Sequence, residues 1–139
     1  MAREMKGHCL CGAVTVTVRG PVSGVWACHC SMCRRWGGAV TMGMDTAPEH
    51  VSFEGPVARY RSSSFAERTW CERCGTHLWF RDDGKDYELS PGIFDDARDV
   101  PLIREVYIDR AFACVPFAGD HERVTRADYE SDKPYLEGL

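Results

Sequence analysis

The sequence lacks any apolar run long enough to cross a bilayer. A membrane-spanning helix needs about 20 consecutive apolar residues, and polar or charged residues interrupt every stretch of this chain much sooner. The first residues, MAREMKGHCL, also lack the apolar core of a signal peptide. We therefore expect no membrane partner and a cytoplasmic location.

Positive charge is dispersed along the chain and is outweighed by negative charge, with 17 Lys and Arg residues against 21 Asp and Glu residues. The formal net charge at pH 7 is −4, and the longest basic run is the pair Arg34-Arg35. Binding to nucleic acid relies on a dense positive face that neutralises phosphates. The composition therefore argues against a nucleic-acid partner.

Helical periodicity is missing as well, since no segment carries an apolar stripe over three helical turns. Short alternating segments are present instead, and Val14 to Val18 is the clearest of them. Further short strand-like segments lie at residues 25–27, 39–44, 51–53, 57–61, 65–70, 76–80, 87–90 and 104–108. The pattern predicts a mainly β chain with frequent turns and a short helical turn just after Cys30.

The length of 139 residues is typical of one domain, and an apolar fraction of 44% is enough for a hydrophobic core. We predict a single domain over residues 1–139. Residues 128–139 are polar, and we expect a loosely held C-terminal tail there. The sequence leaves the oligomeric state open.

Eight cysteines are the unusual feature of this sequence. A reducing compartment disfavours structural disulfides, and a disulfide framework usually scatters its cysteines along the chain. Seven of these cysteines are clustered instead: Cys9 with Cys11, Cys28 with Cys30 and Cys33, and Cys71 with Cys74. In Cys-x-Cys, an extended chain points both side chains the same way, and in Cys-x-x-Cys a tight turn brings the two sulfurs together. The clusters therefore favour metal binding, with zinc as the metal.

Seven clustered cysteines make one set of four and one set of three. A structural zinc is closed by four protein ligands, whereas a reactive zinc keeps one position open. Cys28, Cys30 and Cys33 are near enough in sequence to share one ion, although spacing alone does not fix the grouping. A reactive dithiol at Cys71 and Cys74 and an iron–sulfur cluster remain alternatives. We expect the isolated Cys114 to be buried and inert.

Three thiolates make zinc electron-rich, so a three-thiolate site suits the binding of a further thiol better than the activation of water. Arg34, Arg35 and Trp36 directly follow Cys33, and we predict that they bind substrate through carboxylate contacts and an aromatic wall. In the alternative reading, the arginines balance the thiolate charge or face solvent and Trp36 packs in the core. We expect His29 to support the ligands from outside the site, or to lie at the surface, rather than to bind metal.

Taken jointly, these motifs resemble the glutathione-dependent formaldehyde-activating (GFA) family, which includes centromere protein V-like domains. The matching pieces are Cys9-Leu10-Cys11-Gly12-Ala13-Val14, Cys28-His29-Cys30-Ser31-Met32-Cys33-Arg34-Arg35 and Cys71-Glu72-Arg73-Cys74-Gly75-Thr76. The resemblance covers roughly residues 6 to 110 and implies an Mss4-like fold of short antiparallel strands held together by zinc. It implies a structural zinc on Cys9, Cys11, Cys71 and Cys74, and a catalytic zinc, open to partial occupancy, on Cys28, Cys30 and Cys33.

The resemblance also implies an activity, that of a carbon–sulfur lyase. Such an enzyme joins glutathione to formaldehyde and gives S-hydroxymethylglutathione, with the glutathione sulfur meeting the open zinc and attacking the carbonyl carbon. The expected partner is therefore a small-molecule thiol, with glutathione first. The alternative is a non-catalytic zinc-binding module for protein interaction, or a metal-buffering protein.

Overall fold

The computed structural model describes residues 4–136. The strands are β1 (Glu4–His8), β2 (Thr15–Arg19), β3 (Val25–Cys28), β4 (Thr41–Thr46), β5 (Val51–Glu54), β6 (Val57–Arg61), β7 (Ala66–Cys71), β8 (His77–Asp82), β9 (Tyr87–Leu89), β10 (Leu102–Val106) and β11 (Glu122–Val124). The α-helices are α1 (Ser31–Gly37) and α2 (Arg126–Glu130), and short 3-10 helices occupy Pro48–His50, Pro91–Ile93, Asp95–Asp99, Ile108–Arg110 and Pro134–Leu136. The prediction of a mainly β chain is confirmed. Within the described residues, no helix has the length and apolarity that a bilayer crossing needs.

The chain divides into two compact units. The first unit contains the residues up to Gly24 together with Gly43–Val100, and the second contains Val25–Met42 together with the residues from Pro101 onward. The chain returns from the second unit to the first within strand β4. The prediction of a single domain over residues 1–139 stays a prediction.

In the first unit, β2 lies between β1 and β5 in a small antiparallel sheet. Val16 and Val18 point into the core, whereas Thr15 and Thr17 point to the other face, because successive side chains of a strand alternate. Strands β4, β9, β8, β7 and β6 pair in that order, also antiparallel. The predicted alternation at Val14 to Val18 thus corresponds to a central strand.

The core of the first unit fixes the strands that end at cysteines. Met5, Val14, Met44, Leu78 and Leu89 are completely buried, and burying such a side chain stabilises a fold by about 1.5–3 kcal/mol. Strand β1 ends one residue before Cys9, and strand β7 ends on Cys71. Core packing therefore positions two of the cysteine motifs.

In the second unit, β10 lies between β3 and β11 and runs parallel to both. The prediction specified antiparallel strands, and these two pairings differ from it. Parallel neighbours need long connections, and the chain from β3 to β10 indeed passes through the whole first-unit segment Gly43–Val100. No local sequence pattern indicates such a connection.

The register of these three strands separates their side chains into two faces. Val106 pairs with Cys28 on one side and with Val124 on the other, so these three side chains share a face. Glu105 pairs with Ala27 and Arg123 and therefore belongs to the opposite face. The second unit thus presents a thiol on one face of its sheet and a carboxylate on the other.

Residues 128–130 of the predicted C-terminal tail belong to helix α2. Its residues make contacts inside the second unit, where Lys133 Nζ donates to the carbonyl oxygen of Tyr129 at 3.1 Å and Tyr107 donates its hydroxyl to Glu130 at 3.2 Å. Residues 137–139 of the predicted tail lie outside the described residues. The loose attachment of residues 128–139 stays a prediction.

Candidate metal centres

Four cysteines converge in the first unit. The Sγ atoms of Cys9, Cys11, Cys71 and Cys74 all lie within 4.8 Å of one another. The distance is 3.6 Å between the Sγ atoms of Cys9 and Cys11, and 3.8 Å between those of Cys11 and Cys71. Thiolates bound to one tetrahedral zinc at about 2.3 Å are separated by about 4 Å. This group, the quartet, therefore has the size of a four-thiolate metal site.

The turn after strand β7 shapes the quartet. Gly75 adopts a positive φ of 78°, which is easy for glycine because it has no Cβ. Its N–H donates to the carbonyl oxygen of Cys71 at 2.8 Å, and the N–H of Cys71 donates to the carbonyl oxygen of Thr76 at 2.9 Å. The N–H of Val14 also donates to the sulfur of Cys9 at 3.2 Å. Backbone geometry thus directs both motifs toward one point.

Thr76 connects the two halves of the quartet. Its hydroxyl oxygen accepts from the N–H of Leu10 at 3.0 Å and lies 3.2 Å from the sulfur of Cys74. The hydrogen bond from Thr76 is the main reason that the pKa of the Cys74 thiol falls to about 5. Thr76 ends one of the predicted cysteine motifs, but no role was predicted for it, because its role depends on contact with a residue 66 positions earlier.

Three cysteines converge in the second unit. The Sγ atoms of Cys28, Cys30 and Cys33 also lie within 4.8 Å of one another, and we call this group the trio. Within residues 4–136, no further cysteine, histidine, aspartate or glutamate joins the trio. The described protein atoms therefore provide three ligands for one ion, which leaves a fourth tetrahedral position available.

The end of β3 and the start of α1 build the trio. Cys28 is the last residue of β3, and Cys30 is the N-cap of α1, where its sulfur accepts from the N–H of Cys33 at 3.3 Å. The N–H of Arg34 donates to the carbonyl oxygen of Cys30 at 2.8 Å, and the hydroxyl of Thr41 donates to the carbonyl oxygen of Cys33 at 2.8 Å. The helical turn predicted just after Cys30 is confirmed.

The three thiols of the trio shift one another's pKa. Hydrogen bonds from the thiols of Cys28 and Cys33 lower the pKa of Cys30 to about 2. The same two neighbouring thiols, together with burial, raise the pKa of Cys28 well above its ordinary value. Cys30 is partly exposed, whereas Cys28 and Cys33 are buried.

Aromatic and aliphatic side chains pack against the trio. Trp26, Val124 and Tyr129 surround the buried cysteines together with Tyr107. Tyr107 is the only non-glycine residue with a positive φ, at 58°, in the described part of the chain, and such backbone strain is concentrated at functional sites. Burial and the carboxylate of Glu130 raise the pKa of its hydroxyl, so this hydroxyl stays protonated. No role was predicted for Tyr107.

The three residues predicted to bind substrate lie on helix α1, next to Cys33. The guanidinium carbon of Arg34 lies 4.8 Å from the ring centroid of Phe112. Arg35 is exposed and donates to the carbonyl oxygen of Ser31 at 3.0 Å. Trp36 is partly buried. Substrate binding by Arg34, Arg35 and Trp36 stays a prediction.

Cys114 lies outside both cysteine groups. Cys114 is exposed, so the expectation that it is buried was wrong. It lies in a turn, in which the N–H of Val115 donates to the carbonyl oxygen of Phe112 at 2.9 Å, rather than in a packed strand.

His29 is completely buried and its Nε2 atom lies 2.7 Å from a carboxylate oxygen of Glu105. No role was predicted for Glu105, because its partners lie far away along the chain.

The fold and the cysteine groups together define a class, namely mainly β proteins with thiolate sites suited to metal ions. The chain belongs to the glutathione-dependent formaldehyde-activating enzyme family, whose model matches residues 4–110. The expected family is therefore confirmed, as is the expected class of enzyme, a lyase whose reaction is left open. Strand β11 and helix α2 lie beyond the matched residues.

The chain is also similar to two individual proteins. The chain is 35% identical over 118 residues to a Schizosaccharomyces pombe protein described as an uncharacterized lyase, with 83% of this chain and 86% of that protein covered. It is also similar to the crystal structure of a Rhodobacter sphaeroides protein, with a TM-score of 0.57 and 23% identity over 70% of this chain and 99% of that chain. At this identity the structural likeness shows the fold alone, and the Mss4-like description stays a prediction.

Proposed function

We propose that the protein binds zinc through both cysteine groups and uses the trio to join glutathione to formaldehyde, giving S-hydroxymethylglutathione. The observation that carries the proposal is the convergence of three Sγ atoms with no fourth protein ligand among the described residues. A reactive zinc keeps a position for water or substrate, whereas a structural zinc is closed by four protein ligands. The trio therefore suits a reaction, and the quartet suits a structural ion.

The donor atoms of both groups suit zinc. Thiolates are soft ligands that select zinc over magnesium or calcium. The Sγ distances of 3.6 and 3.8 Å in the quartet match the spacing of about 4 Å expected around one zinc ion. In the trio, the N–H that donates to the sulfur of Cys30 is of the kind that orients metal ligands.

When bound at the trio, zinc supplies a positive charge and an open position at which a substrate thiol is deprotonated. The residues of the chain shape the surroundings of that position. Cys30 is the partly exposed member of the trio, so we infer that substrate enters from its side. Trp26, Tyr107 and Tyr129 pack against the buried side and exclude water there, which strengthens the electrostatic interactions inside the site.

The reaction itself is an addition that needs no oxidant. The sulfur of the thiol forms a bond to the carbonyl carbon of formaldehyde, the carbon–oxygen double bond becomes single, and the oxygen takes up the proton that the thiol releases. The same steps in reverse cleave a carbon–sulfur bond, as a lyase does. An electron-rich sulfur and a site closed to bulk water on one side both favour this addition.

We further propose that Arg34 and Arg35 bind the carboxylates of glutathione, with Trp36 as an adjacent aromatic wall. Both arginines lie within two residues of Cys33 on the same short helix. The ring of Phe112 stacks on the guanidinium of Arg34 and limits its rotation, which favours the planar recognition of a carboxylate. Arg35 is exposed to an incoming ligand.

Replacement of Arg35 by glutamine is expected to weaken glutathione binding about fivefold, because an exposed ion pair contributes about 1 kcal/mol or less. Binding of 2-mercaptoethanol, a thiol without a carboxylate, should not change. Isothermal titration of the zinc-loaded protein with both thiols measures the difference. Arg19→Gln, at an exposed arginine of the first unit that contacts Glu4 at 3.1 Å, is the matched control. Equal weakening for both thiols would argue against carboxylate recognition.

The decisive measurement for the proposed function is the zinc content per chain, followed by X-ray absorption with and without glutathione. We expect two zinc ions, and we expect glutathione to add a sulfur neighbour to one of them. A second zinc that ignores glutathione would favour the non-catalytic interaction module instead. A second zinc that exchanges freely without any thiol adduct would favour metal buffering.

A further inference from the structure

A buried network of two histidines and one carboxylate lies on the face of the second-unit sheet opposite the trio. Nε2 of His29 lies 2.7 Å from Oε2 of Glu105, and Nε2 of His121 lies 2.5 Å from Oε1 of the same carboxylate. The three side chains are 0%, 1% and 3% exposed for His29, Glu105 and His121, respectively. Nothing in the proposed reaction uses this network.

The carboxylate at the centre of the network is ionised. Burial by itself raises the pKa of Glu105, but the hydrogen bonds from His121 and His29 outweigh burial and bring the pKa below its ordinary value. The guanidinium of Arg123, 3.8 Å from Oε1, adds a positive charge. Each histidine therefore donates its Nε2–H to one carboxylate oxygen, so Glu105 holds two imidazoles at once.

His29 connects this network to the trio, because it stands between Cys28 and Cys30 in the chain. The N–H of His29 donates to the carbonyl oxygen of Val106 at 3.1 Å, so the backbone at this point is tied to strand β10. The side chain of His29 contacts Glu105, which directly precedes Val106 on the same strand. Two contacts to β10 thus fix the segment that orients the sulfurs of Cys28 and Cys30.

A merely structural role explains this arrangement poorly. A buried ionic group is often no more stabilising than apolar residues of the same volume, so its contribution lies in geometry. His121 also immediately precedes strand β11, beyond the residues that the family model matches. The carboxylate therefore joins the ligand segment to a part of the chain outside the family match.

We propose that Glu105 is a positioning residue of the trio, holding His29 and His121 so that the three sulfurs keep the spacing of a single zinc site. The inference rests on the proposed zinc site at the trio. Glu105 acts through His29 and touches neither the ion nor the substrate. Loss of one carboxylate oxygen of Glu105 should increase the distances between the three sulfurs of the trio. The quartet, which lies in the first unit, should not change.

The test compares Glu105→Gln with Glu122→Gln in the full-length, zinc-loaded protein. Glutamine keeps the volume of glutamate but presents an amide donor to one of the two N–H groups, so one hydrogen bond is lost. Glu122 is the matched control, because it lies on the adjacent strand β11 and makes an exposed contact to Arg104 at 2.6 Å. Zinc release to a graded chelator is measured, and Cys33→Ser identifies which of the two release steps belongs to the trio.

We expect Glu105→Gln to weaken zinc binding at the trio about tenfold, in line with the loss of a group that orients metal ligands. Release from the quartet and the behaviour of Glu122→Gln should match the native protein. The absorption of cobalt bound at the trio in place of zinc should also change, and a purely structural role would not produce that change. If Glu105→Gln does not fold, His121→Gln, which removes a single contact, decides by the same criteria.

Unchanged release and unchanged cobalt absorption at the trio in the folded variant would overturn the inference, as would equal weakening of both sites. A native protein that binds a single zinc would remove the proposed function as well. Two zinc ions in the native protein with a native-like Glu105→Gln would overturn the positioning role alone. The two failures are therefore distinguishable.

Discussion

The Cys74→Ser variant is expected to be largely unfolded at 25 °C. A four-thiolate zinc contributes about 10–16 kcal/mol of apparent binding free energy, which is comparable to the whole stability of a typical domain, about 5–15 kcal/mol. In the first unit, the quartet joins the end of β1 to the end of β7. Removal of one sulfur weakens the binding of the ion that connects these two strands. Circular dichroism melting, together with zinc content, measures the effect.

Cys114→Ser is the matched control for this prediction, because it is the same substitution at an exposed cysteine outside both groups. We expect its melting temperature to equal that of the native protein. Removal of zinc from the native protein by a strong chelator should reproduce the behaviour of Cys74→Ser. A Cys74→Ser protein that melts at the native temperature would show that the quartet does not support the fold.

The Cys33→Ser variant is expected to fold. The rate at which it combines glutathione with formaldehyde, after subtraction of the spontaneous rate, is expected to fall at least about 100-fold. Loss of the metal at the trio removes several kcal/mol of charge stabilisation, and about 1.4 kcal/mol corresponds to a factor of ten. Cys33 is buried at 7% exposure, and serine has nearly the same volume. Exchange spectroscopy by nuclear magnetic resonance follows the reaction, and zinc content follows the site.

The comparison of Cys33→Ser with Cys74→Ser tests whether the two cysteine groups have different roles. We expect Cys33→Ser to retain one zinc ion and a melting temperature close to that of the native protein. If both variants lose the fold to the same degree, the division into a structural and a reactive site is wrong. If Cys33→Ser keeps the native rate, the trio is not the site of reaction.

Much of the candidate site was predictable because it is encoded locally. Cys28, Cys30 and Cys33 lie within six consecutive positions, so the end of one strand and one helical turn bring their sulfurs together. The turn that contains Cys71 and Cys74 is likewise specified by its own glycine, Gly75. Thiolates in such spacings identify a metal site before any tertiary contact is known.

Long-range parts of the site were not predictable from local patterns. Tyr107 carries no signal in the sequence that indicates a positive φ, because nothing in its neighbours requires this conformation. Cys114 was expected in a core and lies at the surface. Apolar character alone does not decide whether a residue sits in a strand or in an exposed turn.

The sequence by itself determined the ligand chemistry, the presence of seven clustered thiols and most of the short strands. Only the tertiary structure decided which distant residues meet. Cys11 and Cys71 are 60 positions apart, and His29 and Glu105 are 76 positions apart. The physical reason is that such contacts follow from strand pairing and register, above all the parallel pairing of β3 with β10, and these depend on the packing of the whole chain rather than on any local motif.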